Sequence, residues 1–250
     1  MLYLVGLGLC DERDLTIRAI DTIKNCDQVF CEFYTNKWLG NINKLEKITK
    51  KKIKILERKE VESEFLINEA KEKNIALLVP GDPLAATTHI ELILEAKKNK
   101  IKTEIIHSSS IYTAIAESGL QLYKFGRSTT LVYPEEKFKP ESPYDVIEKN
   151  KSIGLHTLVL LDIKYEQNKY MTPNEGLEIL LNLEYKKKKN VINENSKVVI
   201  CCRIGDENQI IKYDKIKNLI KNRNINKIPA VIIIPGELNF KEEEVLEMWK

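Results

Sequence analysis

Short apolar runs alternate along the chain with longer stretches in which apolar residues recur every three or four positions. Residues 2–5, 29–31, 53–56, 75–79 and 103–106 are runs of the first kind and predict strands. Between the first two, Leu15, Ala19, Ile20 and Ile23 share one helical face that ends near Asn25, and residues 60–73 predict a further helix. Strand and helix alternate in this way through the first half of the chain. That order predicts right-handed crossovers and a parallel sheet covered on both faces.

His107-Ser108-Ser109-Ser110-Ile111-Tyr112 is a polar turn opening a helix through Ala114, Ile115 and Glu117, which Gly119 can stop. The segment GLQLYKFG then ends at Gly126 and leads to a strand over 129–133, where the spacing changes. We therefore expect two α/β domains, residues 1–126 and 127–250, the second with longer loops such as 134–143 and a mixed sheet. Its predicted strands are 158–161, 198–202 and 230–234. Thr172-Pro173-Asn174-Glu175 starts a helix, with Thr at the cap, Pro at the first position and Glu placed to return a capping bond. That helix runs on through Leu177, Leu180, Leu181 and Leu183, and 214–221 and 242–249 predict two more.

One turn carries unusual chemistry. The apolar run 77–79 stops at Pro80-Gly81-Asp82-Pro83, followed by Ala85 and Ala86, small enough to let something lie against the backbone. Thr87 or Thr88 is expected to cap a helix with apolar positions Ile90, Ile93, Leu94 and Ala96. The loops after the first, fourth and fifth strands thus bring glycines, one carboxylate and serines to one edge of the sheet, where open parallel sheets bind ligands. Such a surface suits a neutral or cationic ligand with hydroxyl groups, held by backbone groups. Gly6-Leu7-Gly8 starts a dinucleotide fingerprint but has Asp11 at its sixth position, and there is no GxxxxGK[ST].

Each candidate has a structural reading beside the functional one. Asp82 is a ligand anchor or a turn residue. Asp11 and Asp14 are expected to cap the following helix, and Ser110 to cap its own rather than act as a nucleophile. His89, His107 and His156 lack metal-ligand spacing and read as structural hydrogen-bonding residues. Tyr165 and Tyr170 are packing residues or substrate contacts, and Asp162, closing an apolar strand, is a strand-end residue or a functional one. No catalytic side chain stands out, and no metal is expected.

Composition narrows the class. Hydrophobic content of 43% and charged content of 31% describe an ordinary globular chain. Forty Lys plus Arg against 37 Asp plus Glu leave a net charge of +3, and the lysine runs lack interleaved aromatics, which argues against nucleic acid. Five cysteines without a CxxC pair support neither a disulfide framework nor a zinc site, and fit a reducing compartment. No run approaches the roughly 20 apolar residues that span a bilayer, and the apolar first ten residues lack a basic start and a cleavage pattern. The expectation is a cytoplasmic protein away from the membrane.

Taken together and in order, LYLVGLGLCDERDLT, FCEFYT, PGDPLAATTH, HSSSIYTA, GLQLYKFG, GLHTLVLLDIK and YMTPNE closely resemble the diphthine synthases, diphthamide-pathway methyltransferases of the tetrapyrrole methylase superfamily. The resemblance runs through nearly the whole chain. It implies two α/β domains, a homodimer, and S-adenosylmethionine in the cleft between the domains, released as S-adenosylhomocysteine. It also implies methylation of the amino group of a modified histidine, 3-amino-3-carboxypropyl-histidine, in translation elongation factor 2.

Carried over by position, the resemblance implies cofactor contacts at Leu9, Asp82, Ala85, Ser110 and Ile111, and at Leu161, Ile204 and Ala230 from the second domain. Cys201-Cys202 and Ala230 depart from what many relatives carry. The alternatives are a methyltransferase acting on corrin-type tetrapyrroles and a non-catalytic ligand-binding scaffold of the same fold.

Overall fold

A computed structural model describes residues 1–136, 138 and 140–250. The chain divides into two compact units, Met1–Tyr112 and Thr113–Lys250. The division falls after Tyr112 rather than near Gly126. Residues 113–126 pack with the C-terminal part of the chain: Trp249 Nε1 donates to Ser118 O at 3.1 Å, a Cβ at Gly119 would lie 2.2 Å from Val245 Cγ1, and Gln121 N donates to Glu242. The GLQLYKFG segment is therefore part of the second unit.

The first unit comprises β1 (Leu2–Gly6), α1 (Ile17–Asn25), β2 (Gln28–Cys31), α2 (Ile42–Thr49), β3 (Ile53–Ile55), α3 (Arg58–Val61), α4 (Phe65–Glu72), β4 (Ile75–Val79), α5 (Ile90–Lys98), β5 (Thr103–Ile106) and α6 (Ile111–Ala114). Its sheet is parallel throughout, in the order β3-β2-β4-β1-β5. Val5, Val29, Ala76 and Leu78 on one face pack with Ala19 and Ile23 of α1 and Leu45 of α2. On the other face Phe30 meets Phe65 of α4 edge-on at 5.4 Å. β4 is buried at all five positions, as a strand covered on both sides requires. Each such fully buried Leu or Ile contributes about 1.5–3 kcal/mol.

Local expectations changed in three places. The predicted helix over 60–73 is two helices, α3 and α4, interrupted at Glu62-Ser63-Glu64. Thr16, not Asp11 or Asp14, caps α1 by accepting from Ala19 N, while Asp11 caps the short 3-10 turn Glu12–Asp14. Along α5 the buried positions are Leu92 and Ala96, whereas Ile90 and Leu94 are about half exposed; its N-cap is His89, with no side-chain capping bond. Thr87 instead donates its hydroxyl to Pro83 O.

The second unit adds β6 (Thr129–Leu131), α7 (Ser142–Ser152), β7 (Thr157–Leu161), a small hairpin of β8 (Ile163–Lys164) and β9 (Lys169–Tyr170), α8 (Pro173–Lys187), β10 (Lys197–Cys202), β11 (Ile210–Lys215), α9 (Ile216–Leu219), β12 (Ala230–Ile234) and α10 (Phe240–Glu247). Its larger sheet runs β11-β10-β12-β7-β6, antiparallel except for the parallel β6–β7 pair, so it is mixed as expected. The capping box at Thr172 and Glu175 forms as the sequence predicts. Residues 210–215, partly assigned to a helix by pattern, are a strand paired with β10, and only 216–219 are helical. The loop expected over 134–143 includes Lys137 and Lys139, which lie outside the described residues; Glu135 and Phe138 form an isolated bridge there, and α7 begins at Ser142.

Candidate functional site

Three turns of the first unit are joined into one surface at the carboxyl edge of the parallel sheet. The order β4-β1-β5 places the ends of these strands side by side. The crossover from β1 runs toward β2 and that from β4 toward β5, so with right-handed crossovers the two leave on opposite faces of the sheet and their turns part at the edge. Gly8 and Gly81, both at positive φ, exchange backbone hydrogen bonds of 3.2 and 2.8 Å. Leu7 N donates to Val79 O at 2.8 Å, and Asp14 holds Cys10 N at 2.7 Å.

Asp82 fastens the third turn to the second. Its Oδ1 accepts from Leu84 N at 3.0 Å, while Oδ2 accepts from Ser108 N at 3.2 Å and pairs with His107 Nδ1 at 2.7 Å. Asp82 thus shapes its own turn, as the turn reading expects, and also ties the turn after β4 to the turn after β5. Gly6 lies where they converge, and a Cβ there would stand 2.6 Å from Gly81 O and from Ser108 Cβ. Leu9, Asp82, Ala85, Ser110 and Ile111 all belong to these three turns, with Ser110 buried and Leu9, Asp82, Ala85 and Ile111 partly exposed.

Leu161, Ile204 and Ala230 lie together in the second unit. Ala230 pairs with Cys202 and Val231 with Leu160, which puts Leu161, Ala230 and Cys202 in a row across β7, β12 and β10. Ile204 follows two residues after Cys202, where Arg203 N donates to Pro229 O at 2.8 Å. Leu161 and Ile204 are buried, and Ala230 is partly exposed. Asp162, next along from Leu161, accepts from Tyr133 N at 2.9 Å through Oδ2, which holds the chain after β6 against the end of β7.

The three histidines are all hydrogen-bonded. His107 is the exposed partner of Asp82. His156 is fully buried, takes Gly236 N on Nδ1 at 2.9 Å and so donates from Nε2 to Glu242 at 3.0 Å. His89 joins a buried group that the sequence pattern did not reveal: Glu32, Tyr34 and His89 are 0%, 3% and 2% exposed, with Tyr34 Oη 3.3 Å from His89 Nε2. Burial pushes the Glu32 carboxyl up to about 7 against the hydrogen bonds from Thr35, and burial likewise lowers the basicity of His89. The clue lay in FCEFYT and in the last residue of PGDPLAATTH, but only the pairing of β2 with β4 brings them together.

The profile of the tetrapyrrole (corrin/porphyrin) methylases matches residues 1–220. The chain belongs to that family. Over 99% of its length it is 48% identical to the diphthine synthase of Methanocaldococcus jannaschii, covering 98% of that protein, and 46% identical to the diphthine synthase of Methanococcus maripaludis strain S2, again over 99% and 98%. A crystal structure of a diphthine synthase superposes with a TM-score of 0.90 at 35% identity, over 99% of this chain and 95% of that one. The two α/β units, one with a parallel and one with a mixed sheet, are the tetrapyrrole methylase fold.

For a member of this family the turn after β4 suits a methyl-donating cofactor in one testable respect. A Cβ added at Gly81 would meet nothing within 4 Å, so open room adjoins the backbone of the turn, beside the small residues Ala85 and Ala86. The Asp82 carboxylate in the same turn disfavours an anionic ligand such as a phosphate there. A separate surface groove of about 440 Å³ lies along Tyr3, Ile17, Arg18, Asp21, Asn25 and Glu104, and includes none of the residues of the three turns.

Proposed function

We propose that this chain is a diphthine synthase: an S-adenosylmethionine-dependent methyltransferase that methylates the amino group of the 3-amino-3-carboxypropyl-histidine of translation elongation factor 2. The observation that carries the reading is full-length kinship at 45–48% identity with proteins named for that activity. When bound, S-adenosylmethionine supplies a sulfonium methyl group; the acceptor nitrogen forms the new N–CH3 bond as the S–CH3 bond breaks, leaving S-adenosylhomocysteine.

The tasks left to the chain are to hold two reactants in line and to exclude water, and neither requires a protein nucleophile. Leu9, Asp82, Ala85, Ser110 and Ile111 are assigned to the cofactor in the first unit, and Leu161, Ile204 and Ala230 in the second. Within the first set, the Gly8–Gly81 bridge and the Asp82 carboxylate keep three turns in one arrangement before any ligand arrives. Preorganisation of this kind lowers the ordering cost of binding. An α-amino group has a reference pKa of about 8, so the acceptor sheds a proton before each early transfer, to water or to a group on the protein. The family resemblance further supports a homodimer acting in the cytoplasm. Among the described residues no helix is long and apolar enough to cross a membrane.

The test offers S-adenosylmethionine with three acceptors: elongation factor 2 carrying the modified histidine, unmodified elongation factor 2, and a tetrapyrrole precursor. Methyl transfer to the first alone supports the proposal. Transfer to the tetrapyrrole instead makes the chain a corrin-type methyltransferase, and cofactor binding with no transfer to any of them makes it a scaffold.

A further inference from the structure

The buried side chains of Glu32, Tyr34 and His89 take no part in the hydrogen-bond ladders of the sheet, yet they reach the turn on which the cofactor assignment depends. Pro83 O, within that turn, accepts from two side chains: His89 Nδ1 at 3.2 Å and the Thr87 hydroxyl at 2.5 Å. A carbonyl has no proton to give, so Nδ1 carries the imidazole proton and Nε2 is left as an acceptor. Tyr34 meets that need, with its hydroxyl 3.3 Å from Nε2 and its ring edge-on to the imidazole at 6.3 Å between centroids. Arg58 in turn lies 4.9 Å over the Tyr34 ring.

Glu32 completes the arrangement from behind. Its backbone N donates to Leu78 O of β4 at 3.1 Å, and its carboxylate receives the Thr35 N–H at 3.1 Å together with the Thr35 hydroxyl. Its Oε1 is 3.9 Å from His89 Nε2, too long for a hydrogen bond. The carboxylate thus shapes the bend that presents Tyr34, Tyr34 orients the imidazole, and the imidazole holds Pro83. Asp82 grips the same turn from the other end, through Leu84 N and Ser108 N.

We propose that Glu32, Tyr34 and His89 are positioning residues: a buried clamp, running from the loop after β2 to Pro83 O, that holds the Asp82–Ala85 backbone in its cofactor-binding shape. The inference rests on the assignment of this turn to S-adenosylmethionine and goes beyond it by naming what sets the turn's geometry. None of the three touches the cofactor in this account. His89 fixes the proton arrangement, and a side chain that donates to Pro83 O from the same place replaces it. Asn does so, because its Nδ2 stands where the imidazole Nδ1 stood. Leu does not.

The experiment measures S-adenosylmethionine affinity by calorimetry for the wild type, His89→Leu, His89→Asn and Tyr34→Phe, at a temperature where all four retain native circular dichroism. KM for the modified elongation factor is measured alongside. The clamp predicts roughly tenfold weaker cofactor binding in His89→Leu, a few-fold in Tyr34→Phe and near recovery in His89→Asn, since about 1.4 kcal/mol of misplacement is tenfold in affinity; acceptor KM stays unchanged. A purely structural role would instead lower the melting temperature and leave the affinity of the folded variants alone, and that result overturns the clamp. Wild-type protein that binds no S-adenosylmethionine overturns the cofactor assignment itself, and so separates the two failures.

Discussion

Gly8 and Gly81 face each other as an antiparallel bridge, donating to one another's carbonyls at 3.2 and 2.8 Å, although their strands β1 and β4 are parallel neighbours. The chain reverses direction at both turns together, which needs positive φ at both residues, +79° and +74°. The bridge makes two loops from distant parts of the sequence into one rigid rim.

Alanine at the two positions separates strain from crowding. At Gly81 a Cβ meets only open space, so Gly81→Ala incurs the left-handed backbone penalty of about 1–2 kcal/mol. At Gly8 the Cβ would also stand 2.3 Å from Asp14 Cβ, and the loss is expected to exceed that at Gly81 by at least about 1 kcal/mol. Urea denaturation of both variants checks the order.

Asp82→Asn keeps the shape of the side chain but presents an amide hydrogen toward Ser108 N or Leu84 N, whichever way it turns. The turn after β5 loosens, and S-adenosylmethionine affinity falls roughly tenfold, by the loss of one charge-assisted bond of about 1.5–3 kcal/mol. Calorimetry reads the change, and affinity within twofold of wild type would contradict the fastening role.

Two buried carboxylates give opposite pH responses. Burial alone would raise the Glu242 carboxyl, but the Lys124 ammonium, the backbone N–H groups of Gln121 and Asn239 and the His156 ring hold it down at about 2 from an ordinary 4.5. A depressed carboxyl stabilises the fold above 4.5, and this contribution is lost as pH falls from there toward 2. Glu242→Gln is expected to be less stable at neutral pH and to show a flatter acid limb in denaturation measured from pH 6 to pH 2.

Glu32 has the reverse sign. Its carboxyl sits at about 7 rather than 4.5, so the folded state holds a proton that the unfolded chain releases. Its contribution is complete below pH 4.5 and disappears as pH rises through about 7. Between pH 5 and pH 8 the unfolding free energy of the wild type should therefore fall relative to that of Glu32→Gln, the lowered histidines acting alike in both. A parallel decline in both proteins would contradict the assignment.

None of the five cysteines is in a disulfide and all five are buried, and desolvation raises the thiols of Cys26 and Cys202 to about 11, with Cys31 and Cys201 raised as well. The thiolate is the reactive form. A thiol reagent at pH 8 is expected to leave the native protein largely unlabelled and to react with all five groups once denaturant is added. Rapid labelling of the native protein would contradict this packing.

Much of this architecture is legible in the sequence because buried parallel strands are short apolar runs that turns must end. The fourth and fifth strands of the first unit fall where the pattern puts them, at Ile75–Val79 and Thr103–Ile106. Where two structures share a pattern, legibility fails. Asp214 and Lys215, read as the start of a helix over 214–221, instead end a strand that pairs at the sheet's edge with β10, and Ile90 and Leu94 lie on the outer face of α5 while Leu92 and Ala96 are buried. The turn chemistry around Gly81 and Asp82 is local and readable. The meeting of Glu32 with His89 is not, because it depends on β2 lying beside β4, a fact of topology that no local spacing encodes.

The most direct test of the central claim is hydrogen–deuterium exchange with and without S-adenosylhomocysteine. Slower exchange in segments 6–10, 80–86 and 107–112 together, with smaller changes at 161 and 202–204, is the predicted result. Protection absent from those three turns, or confined to the groove along Tyr3, Arg18 and Glu104, would contradict the account.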